Sequence, residues 1–229
     1  MSGQTNPPDG ELAYLPLFHD LRCRPALVVG GGEVGARKVA MLRKAGARIT
    51  VVAPELVAEL AALAADGTIA HKAREFRDTD AAGRVLLVAA TADAAVNRHV
   101  AAVGRELNIP VNAVDDRGAS TAIMPAIVDR SPLVVAVSSG GASPVLARRV
   151  RAQLEQDLSP RTGQLAALAD EYRERVQQHY PGFDERRRFW ERALDGAVGR
   201  AALAGREGEA RAALEADLAQ EPSRAGETG

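Results

Sequence analysis

Three glycines near the start of the chain carry the clearest chemical signal in the sequence. Gly30, Gly32 and Gly35 follow the apolar run Pro25–Val29 with the spacing of a dinucleotide fingerprint, G-x-G-x-x-G. In that motif the first glycine permits a tight turn, the second lets a pyrophosphate approach the backbone, and the third lets a helix pack on its strand. The spacing therefore predicts a dinucleotide site, although a tight strand-to-helix turn without a ligand has the same pattern.

An acidic residue beyond the next apolar segment is the predicted partner of the ribose. The fingerprint places this acid about 20 positions after the glycines, and Glu55 stands there. A carboxylate at this point favours NAD, and no Arg or Lys between Ala53 and Leu63 offers a counter-charge to a 2′-phosphate. The residues predicted to bind NAD are Gly30, Gly31, Gly32, Glu33, Val34, Gly35, Pro54, Glu55 and Thr91.

Strands and helices must alternate to position these residues. Apolar runs predict strands at 25–29, 48–54, 68–71, 85–90 and 110–114, with 15–18 as a short edge segment. Helical patterns cover 35–44, 55–66 and 94–107, the last capped by Asp93. This alternation predicts an α/β fold with a doubly wound parallel sheet. Ligands of such sheets lie beyond the carboxyl ends of the strands, where Gly30, Glu55, Thr91 and Asp115 stand.

The pattern changes after about residue 115. Apolar segments at 122–128 and 133–138 predict two strands, joined by a hairpin-like turn at 129–132. Pro144 suits the first turn of a helix that runs to about residue 158. From Gly163 the sequence is helical and rich in alanine and arginine, and it includes a basic aromatic patch at 186–190. A small α+β segment and a helical domain therefore follow the sheet.

Composition excludes several other classes of protein. The 229 residues include 29 basic and 30 acidic side chains, so no overall field attracts nucleic acid or an anionic membrane. Cys23 stands alone and the four histidines are scattered, so neither an internal disulfide nor a structural metal site is expected. No apolar run approaches about 18 residues, and the polar N-terminus is unlike a signal peptide. We expect a cytoplasmic protein.

A series of further motifs resembles one known family. In chain order they are Val28-Val29-Gly30-Gly31-Gly32 with Arg37-Lys38, Ala89-Ala90-Thr91, Val96-Asn97, Asn112-Ala113-Val114-Asp115-Asp116, Ile123-Met124-Pro125-Ala126-Ile127, Ser138-Ser139-Gly140-Gly141-Ala142-Ser143-Pro144 and Arg187-Arg188-Phe189-Trp190. Together they resemble the N-terminal module of siroheme synthase, a precorrin-2 dehydrogenase and sirohydrochlorin ferrochelatase, from about residue 14 to 215. The resemblance implies a Rossmann-type domain, NAD as hydride acceptor, and a homodimer built through the middle segment.

The same resemblance implies two reactions that share one residue. Hydride removal from the tetrapyrrole needs a base for the accompanying proton, and Asp115 is positioned for that role. Insertion of Fe²⁺, or alternatively Co²⁺, requires pyrrole N–H protons to leave, and the same carboxylate could accept them. The metal is then a transient substrate rather than a fixture. Asp115 could instead be a helix cap or a surface turn acid, in which case Asp116 or Asn112 is the next candidate.

The rim carboxylates of the macrocycle need local partners because the chain has no net positive charge. The turn before Pro144 offers successive N–H groups and hydroxyls that could form an anion nest. With Asn112, the predicted substrate-binding residues are Ser138, Ser139, Gly140 and Gly141. Candidate basic partners are Arg130, Arg148 and Arg187. The alternative is that the turn only caps the helix and that the arginines form a solvated surface.

The family pattern also sets the predicted domain boundaries. They are a disordered leader at 1–13, the NAD-binding domain at 14–115, a dimerisation segment at 116–160, a helical domain at 161–220, and a tail or linker at 221–229. The linker-like tail favours a chain cut from a longer protein that continues into a uroporphyrinogen methyltransferase domain. One departure is Ala122, because the family usually has an aromatic residue there.

Two other functions stay open on the sequence. The protein could be a dehydrogenase alone, with metal insertion assigned elsewhere. It could also be a regulatory module that senses NAD without catalysis, a function that explains the glycines but not the helical domain with its arginine patch.

Overall fold

The computed structural model describes residues 14 to 219. The predicted leader at 1–13 and the tail at 221–229 lie outside the described residues. The described chain divides into two compact units. The first comprises the residues up to Met124 together with Gly140–Ala142, and the second comprises Pro125–Ser139 and the residues from Ser143 onward. Each unit is described by itself.

A five-stranded parallel sheet forms the first unit, with the strand order β3-β2-β1-β4-β5. The strands are β1 (Pro25–Val29), β2 (Arg48–Val52), β3 (Ala70–Lys72), β4 (Leu86–Ala89) and β5 (Val111–Ala113). The helices are α1 (Glu33–Lys44), α2 (Ala58–Ala65) and α3 (Ala94–Glu106). The predicted Rossmann-type, doubly wound sheet is confirmed. Its order reverses between β1 and β4, which is where ligands of such folds bind.

The central strand β1 has buried apolar side chains on both faces of the sheet. Ala26 and Val28 of β1 enter a core with α1 and α2, whereas Leu27 and Val29 enter a second core with α3. These four side chains are at most 2% exposed. Alternate residues of a strand point to opposite faces, so a strand covered on both faces must be apolar throughout.

Several element boundaries in the first unit differ from the predicted ones. Helix α2 begins at Ala58 rather than at 55, because Val57 N–H donates to Gly31 O at 2.8 Å and keeps the preceding residues out of the helix. Strand β3 begins at Ala70 rather than at 68. Residues 15–18 form no strand, and the side chains of Leu17 and Phe18 are exposed.

The second unit contains an antiparallel hairpin and five helices in its described residues. The strands are β6 (Ala126–Arg130) and β7 (Leu133–Val137), and the helices are α4 (Pro144–Asp157), α5 (Thr162–His179), α6 (Phe183–Asp195), α7 (Ala197–Leu203) and α8 (Glu207–Ala219). The predicted strand at 122–128 is wrong in its start, because Thr121 and Ala122 donate their N–H groups to Val111 O on β5. Arg130 pairs with Leu133, so the turn between β6 and β7 consists of Ser131 and Pro132 and not of 129–132.

The helical part of the second unit has its own apolar core. Phe189, Leu214 and Val176 are buried there, and Tyr172 and Tyr180 pack beside them. The predicted helical C-terminal region is confirmed. Across residues 14 to 219, no helix has the length and apolarity needed to cross a membrane.

A buried carboxylate ties down the segment that follows β3. Asp80 is 1% exposed and accepts two hydrogen bonds of 2.7 Å from Arg74 and one of 2.6 Å from Lys72. Arg77 N–H donates a further bond of 3.0 Å. The bonds from Arg74 are the main cause that holds the pKa of Asp80 well below its usual range, although burial opposes them. The charged form of Asp80 is therefore the form that the fold stabilises.

We predict that Asp80→Asn lowers the free energy of unfolding by about 2 to 4 kcal/mol, because the buried network loses its negative charge and one of its two acceptor oxygens. The depressed pKa contributes stability that is present above the unfolded value of about 3.9 and is lost as pH falls toward the folded pKa. Urea unfolding of the wild type between about pH 6 and 3 should show this loss, and Asp80→Asn should show less of it. The control is Glu59→Gln, a change at an exposed carboxylate that should alter stability by under about 0.5 kcal/mol.

Candidate functional site

The glycine turn between β1 and α1 has two closely packed positions and one open position. Gly30 has φ +121°, and a Cβ there would lie 2.4 Å from Ala90 O. A Cβ at Gly35 would lie 2.3 Å from Gly30 O, so only glycine lets α1 pack this closely on β1. A Cβ at Gly32 would meet nothing within 4 Å. The open space beside Gly32 is where a side chain would exclude a phosphate, so the turn fits a dinucleotide.

The N-terminus of α1 adds hydrogen-bond donors to this open position. Gly32 is the N-cap and offers no side chain to cap the helix, and Ala36 N–H makes the first helical bond, to Gly32 O. By helix geometry the N–H groups of Glu33, Val34 and Gly35 lack partners within the helix. Donors of this kind at the positive end of a helix dipole suit an anion.

Gly31 has a structural task that the sequence argument does not contain. A Cβ at Gly31 would lie 2.0 Å from Glu55 O, and Gly31 O accepts a hydrogen bond from Val57 N–H. The glycine turn therefore packs against the loop between β2 and α2 and is hydrogen-bonded to it. Pro54 and Glu55 are exposed on that loop, at the carboxyl end of β2. The structure thus brings Glu55 next to the glycines, as predicted.

Thr91 lies at the end of β4 and is held by a buried asparagine of α3. Asn97, 5% exposed, accepts from Thr91 N–H at 3.0 Å and donates through Nδ2 to Thr91 O at 3.0 Å. Thr91 Oγ1 lies 2.8 Å from Asn97 Oδ1. A Cβ at Gly30 would be 3.0 Å from Thr91 N, so this loop borders the glycine turn. The sequence did not reveal that Asn97 holds the Thr91 loop. The available signal was a single amide residue four positions after the cap Asp93.

Asp115 lies in the turn that follows β5 and has a left-handed backbone. Its φ is +58°, its side chain is exposed, and it makes no hydrogen bond within the described residues. Val114 N–H donates to Ala89 O at 2.9 Å, so this turn lies at the same sheet edge as the end of β4. Aspartate is one of the few non-glycine residues that adopt this conformation repeatedly, so its place in the turn costs little.

The neighbouring carboxylate has a structural role instead. Asp116 Oδ1 accepts a hydrogen bond of 2.9 Å from Ala119 N–H, and Asp116 O accepts from the Ser120 hydroxyl. Ser120 in turn bonds to both backbone groups of Ala113 at 3.0 Å. Asp116 therefore shapes the turn, and Asp115 is the carboxylate that the turn leaves available.

Asn112 and Arg117 flank Asp115 and carry unsatisfied polar atoms. Asn112 is 8% exposed and donates through Nδ2 to Ala122 O at 3.1 Å, whereas its Oδ1 has no hydrogen-bond partner among the described residues. Arg117 Nε is buried and likewise has no partner between residues 14 and 219. Sequence reasoning included Asn112 but missed Arg117, whose charge in a turn gives no signal of its burial.

Lys38 of α1 is a second basic residue that the sequence argument left out of the site. Its side chain is partly buried, and its Nζ donates to Met124 Sδ at 3.4 Å. Burial is the main cause that lowers the pKa of Lys38, and the charge of Arg37 adds to it. The charge of Asp115 acts in the opposite direction, so the ammonium lies within electrostatic reach of the predicted base.

The turn at 138–141 contains hydrogen bonds that prepare α4. Ser143 caps that helix by accepting from Leu146 N–H at 3.2 Å, and Ser139 Oγ accepts from Ser143 N–H at 2.9 Å. Gly140 and Gly141 have φ values of +61° and +83° and belong to the first unit. Ser138 and Ser139 belong to the second. A capping task is therefore present, and the anion nest stays a prediction.

The three arginines suggested as carboxylate partners have different surroundings. The guanidinium of Arg130 donates to Leu158 O, Glu155 O and Asp129 O, and its side chain is 14% exposed. Its burial requires these bonds, so Arg130 ties β6 to the end of α4 and is not available to a ligand. Arg187 is exposed and pairs with Asp184 and Glu191. Arg148 is exposed on α4.

Three family models match consecutive parts of the chain. A model described as putative NAD(P)-binding matches residues 17–126, and one described as the central part of sirohaem biosynthesis proteins matches 130–157. A model described as the sirohaem synthase dimerisation region matches 161–218. The prediction that dimerisation involves 116–160 stays a prediction beside this match.

Curated relatives and a solved structure agree with these models. The siroheme synthase of Nitrosospira multiformis is 49% identical over 212 residues, which are 91% of this chain and 45% of that protein. The siroheme synthase of Methylobacillus flagellatus is 51% identical over 201 residues, 88% of this chain and 43% of that protein. The chain thus spans less than half the length of these relatives. The solved structure of SirC, precorrin-2 dehydrogenase, is 26% identical with a TM-score of 0.70 and covers 89% of this chain and 100% of SirC. On these matches, the chain belongs to the siroheme synthase family.

Proposed function

We propose that this protein oxidises precorrin-2 to sirohydrochlorin, with NAD⁺ as the hydride acceptor, as a step of siroheme biosynthesis. The observation that carries the proposal is the unbonded carboxylate of Asp115, at the same sheet edge as a glycine turn with an open position at Gly32. The names of the relatives and of SirC support it. The reaction removes one hydride and one proton, so the site needs a place for each.

The cofactor would be held at the ends of three strands. The Gly32 backbone and the first N–H groups of α1 would bind its pyrophosphate, Glu55 would bind its ribose hydroxyls, and the Thr91 loop would lie beside it. When bound, NAD⁺ supplies the acceptor for the hydride. Asn97 keeps the Thr91 loop in place through bonds to both backbone groups of Thr91.

Asp115 would accept the proton that leaves the tetrapyrrole. Its carboxylate has no other hydrogen bond in the described residues and is exposed, so it can reach a bound substrate. Asn112 Oδ1 offers an acceptor for a pyrrole N–H, because the bond from Nδ2 to Ala122 O fixes which way the amide faces. The nearby ammonium of Lys38 adds a positive charge that attracts the carboxylate.

We also propose that the same carboxylate serves metal insertion. Fe²⁺ enters as a substrate, and two pyrrole N–H protons must leave the macrocycle as it binds. Asp115 would accept them one at a time and, because it is exposed, would release each to water before the next. The names of the curated relatives, which are siroheme synthases, support this step, whereas SirC is named only for the dehydrogenation. A dehydrogenase without metal insertion is therefore the alternative.

The assembly that we propose is a homodimer. The match to a dimerisation region supports it, and so do the exposed apolar side chains of Val145 and Leu146 on α4, which are 67% and 54% exposed. A fused uroporphyrinogen methyltransferase domain in a longer protein stays a prediction, with the greater length of the relatives in its favour.

We predict that Gly32→Ala and Gly31→Ala separate cofactor binding from folding. The Gly32 methyl group enters open space, so the melting temperature should change by under about 2 °C while NAD affinity falls at least about tenfold. The Gly31 methyl group meets Glu55 O, so that variant should lose about 1 to 3 kcal/mol of stability. Thermal melts and NAD titrations measure both. Unchanged NAD affinity in Gly32→Ala would contradict the pyrophosphate assignment.

We predict that NAD binds about tenfold more tightly than NADP, because the Glu55 carboxylate accepts from ribose hydroxyls and repels a 2′-phosphate. Glu55→Gln should weaken NAD and narrow the difference between the two cofactors in calorimetric titrations. Glu59→Gln is the matched control, since that carboxylate is exposed on the same segment and has no predicted contact with the cofactor. Equal affinities of the wild type for NAD and NADP would refute the role of Glu55.

We predict that Asp115→Asn slows NADH formation from precorrin-2 and NAD⁺ by about 10²- to 10⁴-fold, the usual loss of a general base. The NAD affinity should stay within about twofold, which a titration measures. Asp116→Ala is the control: it removes the oxygen that accepts from Ala119 N–H, so it should lower stability and leave the oxidation largely intact.

The same variants test metal insertion when Co²⁺ or Fe²⁺ and sirohydrochlorin are supplied without NAD⁺. Asp115→Asn should lose this activity too. Insertion at the wild-type rate would leave the dehydrogenase in place and refute the second role of Asp115. If the wild type itself forms no NADH from precorrin-2, the proposed oxidation is wrong.

A further inference from the structure

Two unsatisfied atoms distinguish the turn after β5 from the remainder of the described chain. Within residues 14 to 219, Asn112 Oδ1 and Arg117 Nε are the buried side-chain atoms that lack a hydrogen-bond partner. One is an acceptor three residues before Asp115, and the other is a donor two residues after it. A buried polar group without a partner costs about 1 to 3 kcal/mol and is rare in folded proteins. Two of them on either side of an unbonded carboxylate indicate a site whose partners come from a ligand.

Arg117 differs from the other partly buried arginines described in the first unit. Arg74 donates to the buried carboxylate of Asp80, and Arg84 donates to Asp80 O and to Thr50 Oγ1. Arg117 has neither a hydrogen bond nor an ion pair within the described residues. The adjacent carboxylate of Asp116 accepts from Ala119 N–H instead of pairing with it. The guanidinium of Arg117 is therefore available to an anion that does not belong to the described residues.

The stem of Arg117 is packed against a glycine. A Cβ at Gly141 would lie 2.8 Å from Arg117 Cδ and 3.2 Å from its Nε, so the side chain occupies the space that any other residue at 141 would fill. Gly141 also has φ +83°, a conformation that glycine adopts without strain. Because this contact restricts the stem, less side-chain entropy is lost when the guanidinium binds a ligand.

The sheet order separates Arg117 from the predicted cofactor phosphates. The glycine turn follows β1, whereas Arg117 follows β5, and β4 lies between these two strands. Neighbouring strands are about 4.8 Å apart, which puts the ends of β1 and β5 about 10 Å apart. The anion at Arg117 is therefore more readily a group of the substrate than the pyrophosphate.

We propose that Arg117 determines specificity by binding a rim carboxylate of the tetrapyrrole, which places the macrocycle over Asp115; this rests on the proposed oxidation of precorrin-2. A guanidinium is suited to this task because it presents two parallel N–H donors to a carboxylate. Arg117 thus replaces Arg130 as the candidate partner of a carboxylate, because Arg130 donates to carbonyl groups within the second unit.

The test is a titration of sirohydrochlorin, followed by its absorbance, into the wild-type chain and into Arg117→Gln. The variant should bind about 10- to 100-fold more weakly, the usual effect of a lost charge-assisted bond. Arg117→Lys should be intermediate, because it keeps the charge without the paired donors. Arg43→Gln is the matched control: this exposed arginine lies in the last turn of α1, away from the carboxyl ends of the strands, and its loss should leave the affinity unchanged.

A second ligand identifies the group that Arg117 binds. Sirohydrochlorin whose rim carboxylates are methyl esters should bind the wild type and Arg117→Gln equally, since the charge partner is absent. NAD affinity and the melting temperature should match the wild type in each variant. If Arg117→Gln weakens binding of the methyl ester as much as it weakens binding of sirohydrochlorin, the carboxylate assignment is overturned.

The failure of this inference is distinguishable from the failure of the proposed function. If Arg117→Gln binds sirohydrochlorin as the wild type does while both form NADH from precorrin-2, the role of Arg117 is wrong and the oxidation stands. If Arg117→Gln weakens NAD by the same factor as sirohydrochlorin, the arginine serves the cofactor and the inference is again overturned. If the wild type neither binds sirohydrochlorin nor oxidises precorrin-2, the proposed function fails and this inference fails with it.

Discussion

Helix α1 lies so close to the end of β1 that a methyl group at Gly35 would come within 2.3 Å of Gly30 O. The rest of the first unit depends on this contact. It brings the first turn of α1 to the carboxyl edge of the sheet, and it leaves Gly32 beside open space. Gly31 extends the same close packing to the loop that carries Glu55. A turn without these glycines would open a gap between helix and strand, and the donors of α1 would no longer face a ligand.

Near the carboxyl ends of the strands, some polar groups are hydrogen-bonded within the fold and others are not. Asp80, Asn97 and Asp116 are bonded within the fold, and each fixes a loop at or near a strand end. In the part of the chain that the structure describes, Asn112 and Arg117 keep unpaired atoms, and the carboxylate of Asp115, on a left-handed backbone, has no hydrogen bond. The loops are thus hydrogen-bonded where they support the site, and they keep unsatisfied polar groups where a ligand would bind. This contrast, more than any one side chain, is the argument for a site beside β5.

In the second unit, too, a polar side chain with little exposure is hydrogen-bonded, but here the bonds are made within the fold and none is left for a ligand. Arg130 is buried between β6 and α4, so its guanidinium must bond to backbone carbonyls. The polar surface of the helices is instead covered by exposed ion pairs such as Arg187 with Glu191, which contribute little stability. A basic patch in the sequence is therefore no guide to a ligand until burial and pairing are known.

The amino-acid sequence by itself determined the features that depend on local rules. The glycine spacing, the apolar run of β1 and the cap Asp93 predicted the strand-turn-helix unit and the parallel sheet, because turn sterics and strand periodicity act over a few residues. Only the tertiary structure decided the rest. The bond between Lys38 and Met124 joins residues that are 86 positions apart, and the contact of Arg117 with Gly141 likewise crosses from one loop to another. Which arginine keeps a buried nitrogen without a partner in the described residues depends on such long-range packing, and no local pattern encodes it.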